Sequence, residues 1–229
     1  MLQSLCTLAE SFRKIKKESE IFMFLFDLDG TLIDSNGIWQ GVDRTFLARR
    51  SMPYTREYYE GVAHTILPLA AVFTKEFCRL EESCEEIIAE WMDLARDSYA
   101  HVALKPYTRE LLDKLTADGE RLAIFTSCVP SHCETALEKH GLKPYFERIL
   151  FAHDLGADKG TPEAFRQACA QLGVAPEECV FLDDSFKSCR AAKAAGLYVI
   201  GVYDPFFAGT KSEMSDACHR FINSFAELL

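Results

Sequence analysis

The apolar and polar positions of this chain follow two distinct rhythms. From residue 106 onward, stretches of helical period alternate with short apolar runs. A helix is predicted over 106–117, stopping at Gly119 and leading into an apolar run at 121–126. A second, over 130–140, stops at Gly141 before a short run at 149–152. A third, over 162–172, stops at Gly173 before 179–182, and a fourth, over 186–195, stops at Gly196 before 198–202. Proline opens three of these helices and glycine follows all four, the asymmetry expected of real helix ends. Helices alternating with short strands predict an α/β fold built on a doubly wound parallel sheet, Rossmann-like in plan. Residues 211–229 read as one further helix.

Between residues 37 and 103 the rhythm is helical throughout, with no strand-like alternation. Trp39, Val42, Phe46 and Leu47 share one helical face. Ser83 and Glu86 have the spacing of a capping box, followed by the apolar stripe Ile87, Ile88, Trp91, Leu94 and Ala95. Pro53 and Pro68 mark connections. The segment predicts a small all-helical bundle. Residues 1–20 carry Leu2, Leu5, Leu8, Phe12 and Ile15 at helical spacing and read as one amphipathic helix. Packing on the core, association with another molecule and a shorter form starting at Met23 all stay open for it.

One stretch fits neither rhythm. Residues 21–26 are six consecutive apolar residues, too few for a membrane span and without helical period. Such a run predicts a central strand of a buried parallel sheet. It ends in Asp27 and Asp29, then Gly30 and Thr31. Alternate residues of an extended segment face the same way, so both carboxylates can point into the crevice at the strand's carboxyl end, where open α/β sheets bind ligands. Like charges so close need a cation or a shared proton. A polar turn explains Asp29 and Gly30 but leaves Asp27 unexplained.

Polar residues end the other apolar runs too: Thr126 and Ser127 after 121–125, and Asp183 and Asp184 after 179–182, with Lys159 preceding the helix at 162. If the sheet is parallel, these converge on one crevice with Asp27 and Asp29. Carboxylates, a hydroxyl and an ammonium together suit a phosphoryl group and a hard cation. Singly, Thr126 reads as a strand-end hydroxyl, Lys159 as a solvated lysine, and Asp183 and Asp184 as a helix cap.

Composition narrows the class. The 229 residues are 48% hydrophobic and 26% charged, which suits one large domain, or one with a smaller insert. A net charge of −10 argues against nucleic acid and anionic membrane surfaces as partners. The nine cysteines form no C-x-x-C pair, so a disulfide framework or zinc site is not expected, and a reducing cytoplasm is. No run reaches transmembrane length, so no membrane partner is expected. His132 and His140 share one predicted helix and are expected exposed or half-buried, with no metal role. Cys128 reads as a small buried hydrophobe before a reactive thiol.

These motifs, in order, resemble those of the haloacid dehalogenase-like hydrolase superfamily. Asp27-Leu28-Asp29-Gly30-Thr31 resembles its first motif, and Thr126 stands where the second places Thr or Ser. Lys159-Gly160-Thr161-Pro162 resembles the third, with Gly160 where proline is common. Leu182-Asp183-Asp184-Ser185 resembles the fourth, with Ser188 where an acid often stands. The resemblance runs from residue 21 to about 202. It implies the organisation in which an all-helical C1 cap is inserted after the first strand: an extension at 1–20, a core at 21–36 and 104–229, and a cap at 37–103.

The resemblance further implies that Asp27 is the nucleophile, forming an aspartyl-phosphate, and Asp29 the general acid and base. It implies Mg²⁺ as cofactor, held by Asp27, the Asp29 carbonyl and Asp184, with Asp183 auxiliary. Thr126, Ser127 and Lys159 would hold the phosphate. The presence of Asp29 points to phosphoryl transfer, since the dehalogenases lack it, and Lys75 is misplaced for a phosphonatase. The expected activity is hydrolysis of a small phosphorylated metabolite, by a monomer or weak homodimer. A sugar phosphomutase of the β-phosphoglucomutase type is the alternative, although residues 37–50 lack the histidine usual there. A non-catalytic binding or regulatory protein is a minor reading. In the cap, Arg44, Arg49, Arg50, Arg56 and His64 could meet an anionic or hydroxylated leaving group, although surface charge is the commoner role.

Overall fold

The computed structural model of the protein describes residues 23–62, 67–156 and 158–229, so the N-terminal helix expected over 1–20 and His64 lie outside the described residues. The described chain divides into two compact units, one from Ser35 to Val102 and the other formed by the segment ending at Asp34 together with Ala103–Leu229.

The larger unit is built on a six-stranded, all-parallel sheet in the order β3-β2-β1-β4-β5-β6. Its strands are β1 (Met23–Phe26), β2 (Arg121–Thr126), β3 (Arg148–Phe151), β4 (Cys179–Asp183), β5 (Tyr198–Val202) and β6 (Arg220–Ile222). All four residues of β1 are buried, as a strand covered on both faces requires. Phe26, the last residue of β1, stands level with Ile124 of β2 and Leu182 of β4, which run on two residues and one residue further. Below that end, Phe165 packs edge-on between Phe125 and Phe181, its ring centroid 5.3 and 4.8 Å from theirs.

The helices of this unit are Thr108–Ala117, Pro130–His140, Pro162–Leu172, Phe186–Ala195 and Lys211–Ala217. The second to fourth coincide with the predicted spans and end on a glycine with positive φ. The first starts at Thr108, not 106, because Tyr107 is left-handed (φ 66°) and cannot be the opening helical residue. The expectation of one helix over 211–229 is overturned: helix stops at Ala217, and Arg220–Ile222 pairs with β5 as the edge strand. Three residues are too few to show a period of two, and only Ile222 of them is buried. His132 also departs from expectation. It is 1% exposed, because Cys133, Ala136 and Leu137 of its helix face the core with it.

The segments that leave and re-enter this unit pair antiparallel at Ile33 and Leu104, with Asp34 donating its amide to Ala103 and Lys105 to Leu32. Lys105 Nζ then meets the buried Asp204 carboxylate at 2.5 Å, tying the return segment to the loop after β5.

The smaller unit is helical: Ile38–Arg49, Arg56–Val62, Leu67–Cys78 and Cys84–His101. The capping box opens the last of these, Ser83 accepting from the Glu86 amide and Glu86 from that of Ser83. Phe46 packs edge-on against Trp91, their centroids 5.6 Å apart. Among the described residues no helix is long and apolar enough to cross a membrane.

The aromatic trio gives a direct test of the core. Phe165→Ala is expected to lower stability by about 3–5 kcal/mol in urea unfolding, the usual result of emptying an aromatic core position. A loss under about 1 kcal/mol would show that Phe165 is not load-sharing as described.

Candidate active site

Parallel pairing continues one residue past β1, where the Asp27 amide donates to the Leu182 carbonyl at 2.9 Å. This sets Asp27 beside Asp183, at the boundary where the strand order turns from one side of β1 to the other. Crevices of doubly wound sheets open at that boundary. Asp27, Asp183 and Asp184 are all buried, and one oxygen from each lies within 4.8 Å of the others. Lys159 enters from the loop before Pro162. Its Nζ donates to Asp27 Oδ1 at 2.6 Å and to Asp183 Oδ2 at 2.9 Å. The faces of Phe125 and Phe181 lie 5.5 and 5.4 Å from the same nitrogen.

The charges do not balance. Burial pushes the Asp27 carboxyl up to about 7; Lys159 opposes that rise, while Asp183 and Asp29 add to it. Burial would likewise strip Lys159 of its proton, but Asp183 and Asp27 outweigh it and hold the ammonium above its ordinary range. Asp183 has both oxygens engaged, since Oδ1 also accepts from the Ser185 amide at 2.6 Å. Ser188 is buried nearby in sequence, with no charge to add.

Asp29 stands half-buried in the turn after β1. Gly30 has φ 79° there and donates to Ile33, while the amides of Thr31, Leu32 and Ile33 all converge on the Leu28 carbonyl. A side chain at Gly30 would strain that conformation. Thr126 and Ser127 follow the adjacent strand end, just ahead of the helix opened by Pro130. Thr126 is fully buried, with Oγ1 accepting from the Cys128 amide at 2.9 Å, and Ser127 is exposed. Cys128 is itself buried.

Sequence reasoning passed over Thr31, whose Oγ1 donates to Asp184 Oδ1 at 3.4 Å; its place inside the first motif was the available signal. The cap arginines prove to be engaged within the helical unit. Arg50 pairs with Glu82 and Glu90, Arg49 with Glu90, Arg56 with Glu60, and Arg44 lies over the Tyr54 ring. Lys75 donates to the Glu82 carbonyl.

Comparison with known proteins agrees with this fold. The family model described as haloacid dehalogenase-like hydrolase matches residues 24–202, and the chain belongs to that family. It is 30% identical over 183 residues to the pyrophosphatase PpaX of Halalkalibacterium halodurans, covering 78% of this chain and 81% of that one. A match of 27% over 180 residues reaches the bifunctional riboflavin kinase/FMN phosphatase of Arabidopsis thaliana, of which it spans only 47%. Among solved structures, a candidate beta-phosphoglucomutase from Thermotoga maritima superposes with a TM-score of 0.79, covering 91% of this chain and 97% of that one. At 22% identity that likeness concerns the fold.

The buried Asp27 charge has a consequence for stability. The unfolded chain releases the Asp27 proton near 3.8 and the folded protein near 7. Between those values the folded state binds more protons, so stability falls as pH rises, and the cost is fully developed above 7. In metal-free protein, Asp27→Asn is therefore expected to be more stable than wild type above pH 7, by up to about 4 kcal/mol, with the difference vanishing near pH 4. Urea unfolding with a chelator present checks this. An equal loss of stability at both pH values would contradict it.

Proposed function

We propose that the protein is a Mg²⁺-dependent phosphomonoester hydrolase acting on a small phosphorylated metabolite, with the helical unit as its cap. The observation that carries this reading is the buried grouping of Asp27, Asp183 and Asp184 around the Lys159 ammonium at the strand ends. The match to phosphatase relatives supports it as well.

In this reading Asp27 attacks phosphorus with a carboxylate oxygen, and the bond to the leaving oxygen breaks. Asp29 gives that oxygen its proton. Asp29 then takes a proton from the water that attacks the aspartyl-phosphate, and phosphate departs as the Asp27 carboxylate is restored. Splitting one displacement into two eases each step, and acid–base help of this kind is worth roughly 10²–10⁴ in rate. Lys159 neutralises charge on the phosphoryl oxygens and on Asp27. The hydroxyl of Thr126 and the amide of Ser127 hold phosphoryl oxygens, aided by the positive end of the helix that follows.

The donor set fits Mg²⁺: oxygen ligands only, buried and close together. Asp27, Asp184 and the Asp29 main-chain carbonyl would hold it. Asp183, occupied by Lys159 and the Ser185 amide, would orient the lysine instead. When bound, the ion would neutralise phosphoryl charge that one lysine cannot. The nine cysteines, scattered and without a C-x-x-C pair, support a reducing, cytoplasmic setting.

A panel of phosphorylated metabolites tests the reading. Wild type with Mg²⁺ is expected to release phosphate from at least one of them, chelation to abolish release, and Asp27→Asn to lower it by about 10³-fold or more. No release from any substrate, or full activity in the mutant, would refute the hydrolase. On a hexose 1-phosphate, free phosphate is expected; isomerised sugar without free phosphate would make the protein a mutase.

A further inference from the structure

The turn that carries Lys159 is fixed by the residue before it. The Asp158 carbonyl accepts from both the amide and the hydroxyl of Thr161 at 2.8 Å, and its Oδ1 accepts from the Gly160 amide at 2.8 Å. Its other oxygen, Oδ2, meets Lys187 Nζ at 2.5 Å. Lys187 is the second residue of the helix that begins directly after Asp183, Asp184 and Ser185. One ion pair thus joins the loop of Lys159 to the loop of the two aspartates.

To reach Asp158, Lys187 lies across Gly160. A Cβ at Gly160 would stand 1.9 Å from Lys187 Cε and 2.6 Å from both Cδ and Nζ. Glycine is therefore what leaves room for the crossing. Both partners are 60% exposed, and ion pairs so exposed add little to stability. A role in geometry explains the arrangement better.

We propose that Lys187, acting through Asp158 and across Gly160, is a positioning residue that fixes the turn of Lys159 against Asp27 and Asp183. This rests on the hydrolase reading only in taking Lys159 as catalytic. Small misplacements of such a group are costly in rate because the interaction is made with the transition state.

Lys187→Ala is expected to lower kcat by about 10-fold with KM little changed, and to leave the unfolding midpoint unmoved. Lys187→Arg is expected to restore most of the loss. Gly160→Ala, by displacing Lys187, should reproduce the fall, and the double variant should be no worse than either single one. Independently of turnover, amine labelling read by mass spectrometry is expected to modify Lys159 several-fold faster in Lys187→Ala than in wild type. Wild-type kcat in Lys187→Ala, multiplying effects in the double variant, or unchanged Lys159 labelling would overturn the proposal. Should wild type hydrolyse no phosphoester, the catalytic reading fails, and the labelling result still decides whether Lys187 holds the turn.

Discussion

An ammonium group shared between two buried carboxylates is the interaction on which the rest of this site depends. Asp27 and Asp183 are 6% and 1% exposed, a depth at which an unpaired charge is costly. Lys159 compensates both at once, yet Asp184 makes three acids against one cation. Burial, with smaller contributions from Asp183 and Asp29, holds Asp27 at a far higher pKa than an ordinary carboxyl. Strongly perturbed acids in a crevice mark functional sites, where stability is given up for reactivity. Here the surplus fits a hard cation with a phosphoryl group beside it.

The sheet supplies the geometry. β1 lies between β2 and β4, and its pairing with β4 brings together residues as distant in sequence as 27 and 183. Each polar group then sits on a turn the backbone is built to hold: Gly30 at positive φ behind Asp29, and Asp158 bonded across the Lys159 turn. Two rings of the aromatic trio, Phe125 and Phe181, lie 5.5 and 5.4 Å from the Lys159 ammonium.

Much of this was legible in sequence because it is local. Apolar period and a glycine past the last turn, with a proline at the first turn of two of them, defined helix spans that the structure reproduces at 130–140, 162–172 and 186–195. Asp27 stood out because no turn needs it. What escaped is either too short or too far-reaching. The three-residue strand at Arg220–Ile222 leaves no periodic trace, and the left-handed Tyr107 has none of the usual composition of such positions. Arg50 could not be matched with Glu82 and Glu90, 32 and 40 residues away, by any local rule. The crossing of Lys187 over Gly160 likewise joins segments whose nearness only the fold creates.

The most direct test of the central claim is to catch the esterified side chain. Turnover of a radiolabelled phosphoester in Mg²⁺, quenched in acid and mapped by peptide, should place a hydroxylamine-labile phosphoryl group on Asp27. Active turnover with no such label, or with the label on another residue, would contradict the account.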